Sequence, residues 1–575
     1  MKWRSLCFLC VLCASALNAF ALDREAFTFT SYDLNVRIEP EQQRLGVRGK
    51  IILRNDSQTP QKIAVLQISS SLDWRSIRAS GKQLQFVAQL YTSDIDHTGA
   101  LSEAVVTLPD VVQPKGTVDL DIAYEGVIVL DASRLTRIGA PEAQANSSDW
   151  DQISTKFTAV RGVGYVAWYP IATDAASLDE GTSLSQIVGR WKARHAATQM
   201  SITFKSSVDQ TILFSGTPSG LAIHPEEGTA KVAAFGVPRL GSNVPTFILA
   251  NYRKVDVKSV STVCYLAGYD AAAQSYAEVL ASLEPVPAAN GSRRLQVAQL
   301  PDPNASEFVS ENMLLVPLKA SPTEEDRLAL VYALAKGQLL SSRTWVVEGL
   351  AHYAQVIDIE RQRGHRAALD YLGAHRSVLV ESEKDYSQAN SSSGADDRNA
   401  AVEHSLIAST DEVYVASKAM WVWWMLRDLL GGKDPGALLL GYDPSADKEP
   451  SYLQRLIQAQ TQRDLEWFFD DWVYRDRGLP DFKVASAFTR KMLPAGYMLT
   501  ITVDNLGAAG AEVPLTVKFE GGEITKRLLV RGKSNGVIRI EVPKAPEEIV
   551  VNDGSVPESD LTNNVFKIEA GDAAK

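Results

Sequence analysis

The spacing of apolar residues changes twice along this chain, and those two changes limit what it can fold into. From residue 25 to about 255, apolar side chains recur at every second position, as in Tyr32-Asp-Leu-Asn-Val-Arg-Ile38 and Gly46-Val-Arg-Gly-Lys-Ile-Ile-Leu53. Val118 to Tyr124, Met200 to Phe204 and Thr246 to Ala250 continue the series. A period of two is that of a half-buried strand, because successive side chains leave opposite faces of a sheet. After about residue 265 the spacing becomes helical over Tyr276 to Leu283, Glu324 to Leu340, Thr344 to Gln362, Ala367 to Val380, Val413 to Leu430 and Ser451 to Arg475. The polar stretch from Gln388 to Asn399 reads as a loop. From Lys483 onward alternation returns, in Met498 to Val503, Val513 to Phe519, Ile524 to Val530 and Val537 to Val542. The expected fold is therefore multidomain α+β: a β-rich part over 22–255 without βαβ rhythm, a helical part over 256–482, and a C-terminal β-sandwich over 483–575.

The first 21 residues read as a secretory signal peptide. Lys2 and Arg4 precede an apolar run from Leu6 to Leu17, and Ala19-Phe20-Ala21 forms an A-x-A cleavage site. Localisation is thus expected to be exported, periplasmic or extracellular, with no membrane span in the mature chain. Cys7, Cys10 and Cys13 leave with the signal, so Cys264 alone remains and no intrachain disulfide can form. The net charge of −11 becomes −13 once Lys2 and Arg4 are removed. An acidic chain without a basic stripe argues against a nucleic-acid partner.

Several segments resemble peptidase family M1, the gluzincin aminopeptidases. The opening YDLNVRIEPEQQRLGVRGKIILRN resembles the family's first strand pair, and Val163-Gly-Tyr-Val-Ala-Trp-Tyr-Pro-Ile171 its G-W-Y-P type segment. Thr344 to Gln355, TWVVEGLAHYAQ, resembles the helix that presents the third metal ligand, here Glu348. Ser310-Glu311-Asn312 resembles the end of the G-x-M-E-N loop that grips a substrate's amino terminus, which implies substrate binding by Glu311 and Asn312. Val413 to Gly431 resembles the helix of the catalytic tyrosine, and Tyr414 is its nearest phenol. RDLEWFFDDWVYRDRGLPDFKV, from Arg463 to Val484, resembles the close of the helical domain. The resemblance implies an N-terminal β-sandwich or saddle domain, a thermolysin-like gluzincin domain and a C-terminal β-sandwich.

The family's chemistry needs H-E-x-x-H, because histidines four apart on one helical face reach the same ion. That motif is absent from all 575 residues. The matching helix is expected at Leu330 to Gln338, with Val331 and Ala335 in place of the histidines and Tyr332 in place of the general base. Neither aliphatic side chain can donate a lone pair to a metal. Glu348 then reads as a carboxylate accepting hydrogen bonds on a half-buried helix. Paired with His352 one turn later, it would begin a different metal site, completed by His365, His375 or His404. Trp421, Trp423, Trp424, Trp467 and Trp472 read as core.

Three functions are consistent with this sequence. The first is an exported M1 aminopeptidase-like pseudo-metallopeptidase that binds peptides or a partner protein in the former active-site cleft, with no cofactor expected. The second is an active metallo-aminopeptidase with a non-standard zinc site. The third is a structural surface module. Enzyme activity and oligomeric state are left open by the sequence.

Overall fold

The computed structural model describes residues 22–181, 183–219, 229–258, 261–283, 294–339, 341–393 and 405–568. The signal segment 1–21, His404 and residues 394–399 of the expected loop lie outside the described residues. The architecture is α+β with many sheets. The large sheet of the N-terminal part is built on β1 (Phe27–Glu39), β2 (Arg44–Asn55), β3 (Leu72–Ala79), β4 (Thr117–Val127), β5 (Gln199–Ser206) and β6 (Lys231–Val237). Their spatial order is β6-β5-β1-β2-β4-β3, with β1 and β5 parallel and the others antiparallel. Alternation in β1 is strict: Tyr32, Leu34, Val36 and Ile38 are buried while Asp33, Asn35 and Arg37 face water. At Gly49 in β2 a Cβ would stand 2.1 Å from the Asp33 carbonyl oxygen, so the β1–β2 pair closes this tightly only over glycine.

The segment Val163 to Ile171 is packed into this core. The Tyr32 hydroxyl donates to the Pro170 carbonyl at 2.8 Å, and the Tyr124 hydroxyl to the Trp168 carbonyl at 2.8 Å. The helix α1 (Ser183–His195) packs against β1.

A five-stranded sheet opens the next part, in the order β7-β8-β9-β11-β10, from β7 (Arg253–Val257), β8 (Ser261–Tyr265), β9 (Leu295–Gln299), β10 (Phe308–Ser310) and β11 (Met313–Val316). Helix α2 (Asp270–Ser282) connects the parallel pair β8 and β9. The helical spacing of the sequence does not announce this sheet. Its β8, β9 and β11 strands are largely buried, so they lack the alternation that marks a half-buried strand.

The helices follow: α3 (Glu324–Gln338), α4 (Thr344–Arg363), α5 (His365–Ala374), α6 (Arg376–Ser393) and α7 (Glu412–Leu429). The expected loop at Gln388 is corrected here, since the backbone of α6 stays helical through Ser393. A capping box starts α3: the Thr323 hydroxyl accepts from the Asp326 N–H at 3.2 Å, and the Asp326 carboxylate from the Thr323 N–H at 2.7 Å. Arg327 forks onto Asp358 with two bonds of 2.7 Å, joining α3 to α4.

Helices α4 and α7 meet at Gly349, where a Cβ would lie 2.6 Å from the Ala419 Cβ and 2.7 Å from the Trp423 ring. Gly349→Ala is therefore expected to lower stability by roughly 1–3 kcal/mol through overpacking. A denaturant midpoint equal to the parent's would contradict so close a contact. Trp421, Trp423, Trp424, Trp467 and Trp472 are all buried. The C-terminal part pairs a three-stranded and a four-stranded sheet over Phe482–Lys567, and Leu499, Ile501, Val517, Ile540 and Ile549 from both share one core.

Candidate functional site

A cleft of about 1020 Å³ runs between the Gly164–Tyr165 turn, α1, α3, α4 and α7. Its floor is set by a pair one turn apart on α3. The Tyr332 hydroxyl donates to Glu348 Oε2, and Lys336 Nζ stands 2.8 Å from Glu348 Oε1 and 3.2 Å from the Tyr332 oxygen. This corrects the helix register expected from sequence. Val331 and Ala335 turn into the apolar core, while Tyr332 and Lys336 are the i, i+4 pair that faces Glu348. Burial alone would raise the Glu348 pKa, but the Lys336 ammonium and the Tyr332 hydroxyl outweigh it and hold the carboxyl at about 2. Burial pulls Lys336 down, and the facing carboxylate more than reverses that, so the lysine keeps its proton. Burial and Glu348 both push the Tyr332 phenol up.

On the next turn of α4, His352 lies with its ring 4.9 Å from that of Tyr332. The Gln355 side-chain N–H donates to the Leu328 carbonyl at 3.0 Å, which leaves its amide oxygen as acceptor. That oxygen lies 2.9 Å from His352 Nδ1 and takes the Tyr371 hydroxyl at 3.2 Å. The hydrogen-bond pattern therefore places the His352 proton on Nδ1 and the lone pair on Nε2. Burial lowers the His352 pKa, and burial together with His352 lowers that of His375, whose ring centroid is 6.5 Å away. At neutral pH this wall is uncharged.

The other expected site residues lie elsewhere. Glu311, at φ +49°, is 3% exposed, and its backbone N–H donates to Asn243 Oδ1 at 2.7 Å. It lines a separate space of about 20 Å³ that it shares with Lys336, Ser242 and Ser341. Such a space is about the size of one water molecule. The Asn312 side chain donates to the Arg294 carbonyl at 3.0 Å. Neither residue, expected from the resemblance to bind substrate, is among those that line the cleft.

Tyr414 also lies off the cleft lining. Val413, Ala416, Ser417 and Met420 form the cleft face of α7, whereas the Tyr414 hydroxyl donates to Asp476 and accepts from Lys418 Nζ at 2.7 Å. Lys418 completes the buried group at 2.8 Å from Asp476. Tyr414→Phe is expected to cost about 1–3 kcal/mol of stability and to leave ligand binding in the cleft unchanged. Binding titrations of the folded variant check this, and a large affinity loss would return Tyr414 to the cleft. His365 Nδ1 stands 2.7 Å from Glu360, away from the cleft.

Sequence reasoning gave Lys336 no role and Tyr332 only the place of the general base, whereas the structure pairs both with Glu348 in the cleft lining. A usable signal was present, because Tyr332 and Lys336 are the polar i, i+4 pair in an otherwise apolar Leu328 to Gly337 stretch. The zinc ion that the resemblance implies does not fit this donor set. An ammonium repels a divalent cation, and both it and the phenol would have to lose protons that Glu348 holds in place. Among the described residues, no group of three or more His, Cys, Asp or Glu side chains is placed to share a metal.

No family model and no curated protein matches this chain. Solved structures similar to it include an M1 zinc metallopeptidase from Deinococcus radiodurans, at 15% identity over 79% of this chain and 95% of that one, with a TM-score of 0.47. A point mutant of that enzyme gives 15% identity, 80% and 96% coverage and a TM-score of 0.46. The mutant bound to a Tyr-Ser-Ala substrate gives 16% identity, the same coverage and a TM-score of 0.45. A likeness at TM-scores below 0.5 says nothing about the chemistry of this cleft. Among the described residues no helix is long and apolar enough to cross a membrane.

Proposed function

We propose that this is an exported, M1 aminopeptidase-like pseudoenzyme that binds a peptide or protein segment in the cleft and does not hydrolyse it by a metal mechanism. The observation that supports this reading most is the Lys336 ammonium 2.8 Å from Glu348, on the floor of the cleft. Metal-dependent hydrolysis needs an ion with an open position for water, whose pKa falls to about 7 on binding. A singly charged ammonium already bonded to a carboxylate offers no such position. The cleft is just above the usual size range of small-molecule sites, enough for a few residues of extended chain.

The mature protein is expected to release no fluorophore from aminoacyl substrates in a chelator-sensitive way. It is also expected to bind peptides with an affinity that Ala416→Trp, which fills the cleft from α7, reduces about tenfold or more. Chelator-sensitive turnover contradicts the first half of the reading, and unchanged peptide affinity in the folded Ala416→Trp variant contradicts the second.

A further inference from the structure

The side chains that exclude an ion beside Glu348 nevertheless keep the outline of a metal site, an inference that rests on the non-hydrolytic reading of the cleft. Tyr332 and Lys336 reach from one helix, one turn apart, and Glu348 reaches from the next. Two positions at i, i+4 and a third from a neighbouring helix converge on one point, as ligands do around a tetrahedral ion with one position left over. The point of convergence is filled by Lys336 Nζ. An imidazole is shorter than a lysine side chain, and a zinc–nitrogen bond adds about 2.0–2.1 Å to its reach. A cation held by a histidine at position 336 would therefore stand close to where the ammonium now stands.

The geometry points to a tethered cation: the Lys336 ammonium, held by Glu348 and Tyr332, stands where an ion bound through positions 332, 336 and 348 would stand, and pins α3 to α4 as an ion would, without an open coordination position. It neutralises Glu348, and Tyr332 fills the carboxylate's second oxygen. The cleft floor is thus assembled without a metal supply, and the frame still accepts an ion if the two α3 side chains become ligands. The similar group of Tyr414, Lys418 and Asp476 differs in lying off the cleft.

The test compares the mature chain with its Tyr332→His/Lys336→His variant, each given a small excess of zinc and then exchanged into metal-free buffer. The variant is expected to retain about one zinc per chain and to melt at a higher temperature with zinc than with chelator, and the parent to do neither. A folded variant, with the parent's far-ultraviolet circular dichroism, that retains no zinc overturns the inference. If the double variant does not fold, Lys336→Ala serves instead. Propylammonium, a detached lysine end, is expected to raise its melting temperature, and the bulkier tetramethylammonium is not; equal or absent effects overturn the inference. Stoichiometric zinc in the parent sinks the non-hydrolytic reading itself, whereas a folded, zinc-free double variant sinks only the tethered cation.

Discussion

Lys336→Met is expected to destabilise the folded protein by about 3–5 kcal/mol at neutral pH, because it leaves the Glu348 carboxylate buried without its cation. The pair is enclosed, with side-chain exposures of 8% and 12%, so solvent screening returns little of that loss. The sign of the pH dependence follows from the direction of the shift. In the parent, the folded-state pKa of Glu348 is held below its unfolded value, down to about 2. Its contribution is therefore complete above the ordinary carboxylate range and is lost as pH falls towards 2. In the variant the Lys336 ammonium is gone, the Tyr332 and Ser242 hydroxyls and His352 remain, and burial, which raises the Glu348 pKa, is no longer outweighed, so acid protonates it and removes the penalty. The stability gap between parent and variant should therefore narrow on acidification. Lys336→Met/Glu348→Gln, which removes both charges, should recover most of the loss. Denaturant titrations at two pH values measure all three quantities. A gap that widens in acid would contradict the assignment of charge to this pair.

Arg161→Met is expected to have an effect of similar size, about 3–5 kcal/mol, for a related reason in the N-terminal part. Arg161 is 2% exposed, and its guanidinium lies 3.9 Å from the Trp150 ring centre and 3.7 Å from that of Tyr165. It bonds Asp151 Oδ2 at 2.7 and 3.0 Å and the Ser148 carbonyl at 2.7 Å. Methionine fills similar volume but leaves Asp151 buried with one backbone donor, the residue-161 N–H at 2.6 Å. Tyr165 lines the cleft, so the variant should also lose peptide affinity. A midpoint shift equivalent to less than about 1 kcal/mol would show that the group contributes no more than a surface pair.

The sequence made the half-buried elements plain and hid the fully buried ones. Tyr32 to Ile38 could be read as a strand because one face meets the core and the other meets water. Ser261–Tyr265 and Met313–Val316 are buried along their whole length, and a continuous apolar run carries no period to read. The helices from Glu324 to Leu429 were visible through their spacing, yet spacing alone could not say which side of α3 meets Glu348. Val331/Ala335 and Tyr332/Lys336 are both pairs four apart; the choice is made by how α3 rotates against the sheet and α4, which no local pattern encodes. The same limit misplaced Tyr414, since it stands on α7 between the cleft face and the core and turns to Asp476, which lies 62 residues further along the chain. Glu311 was legible as part of a motif, but the enclosure around it depends on Asn243 and Ser341 from distant segments.

The central claim is that a lysine ammonium, and no metal, sits against Glu348. Native mass spectrometry of the mature protein, equilibrated with excess zinc and then desalted, tests it most directly. The account predicts the mass of the bare polypeptide, unchanged by prior chelation. A species heavier by one zinc ion that disappears in Glu348→Gln would contradict it.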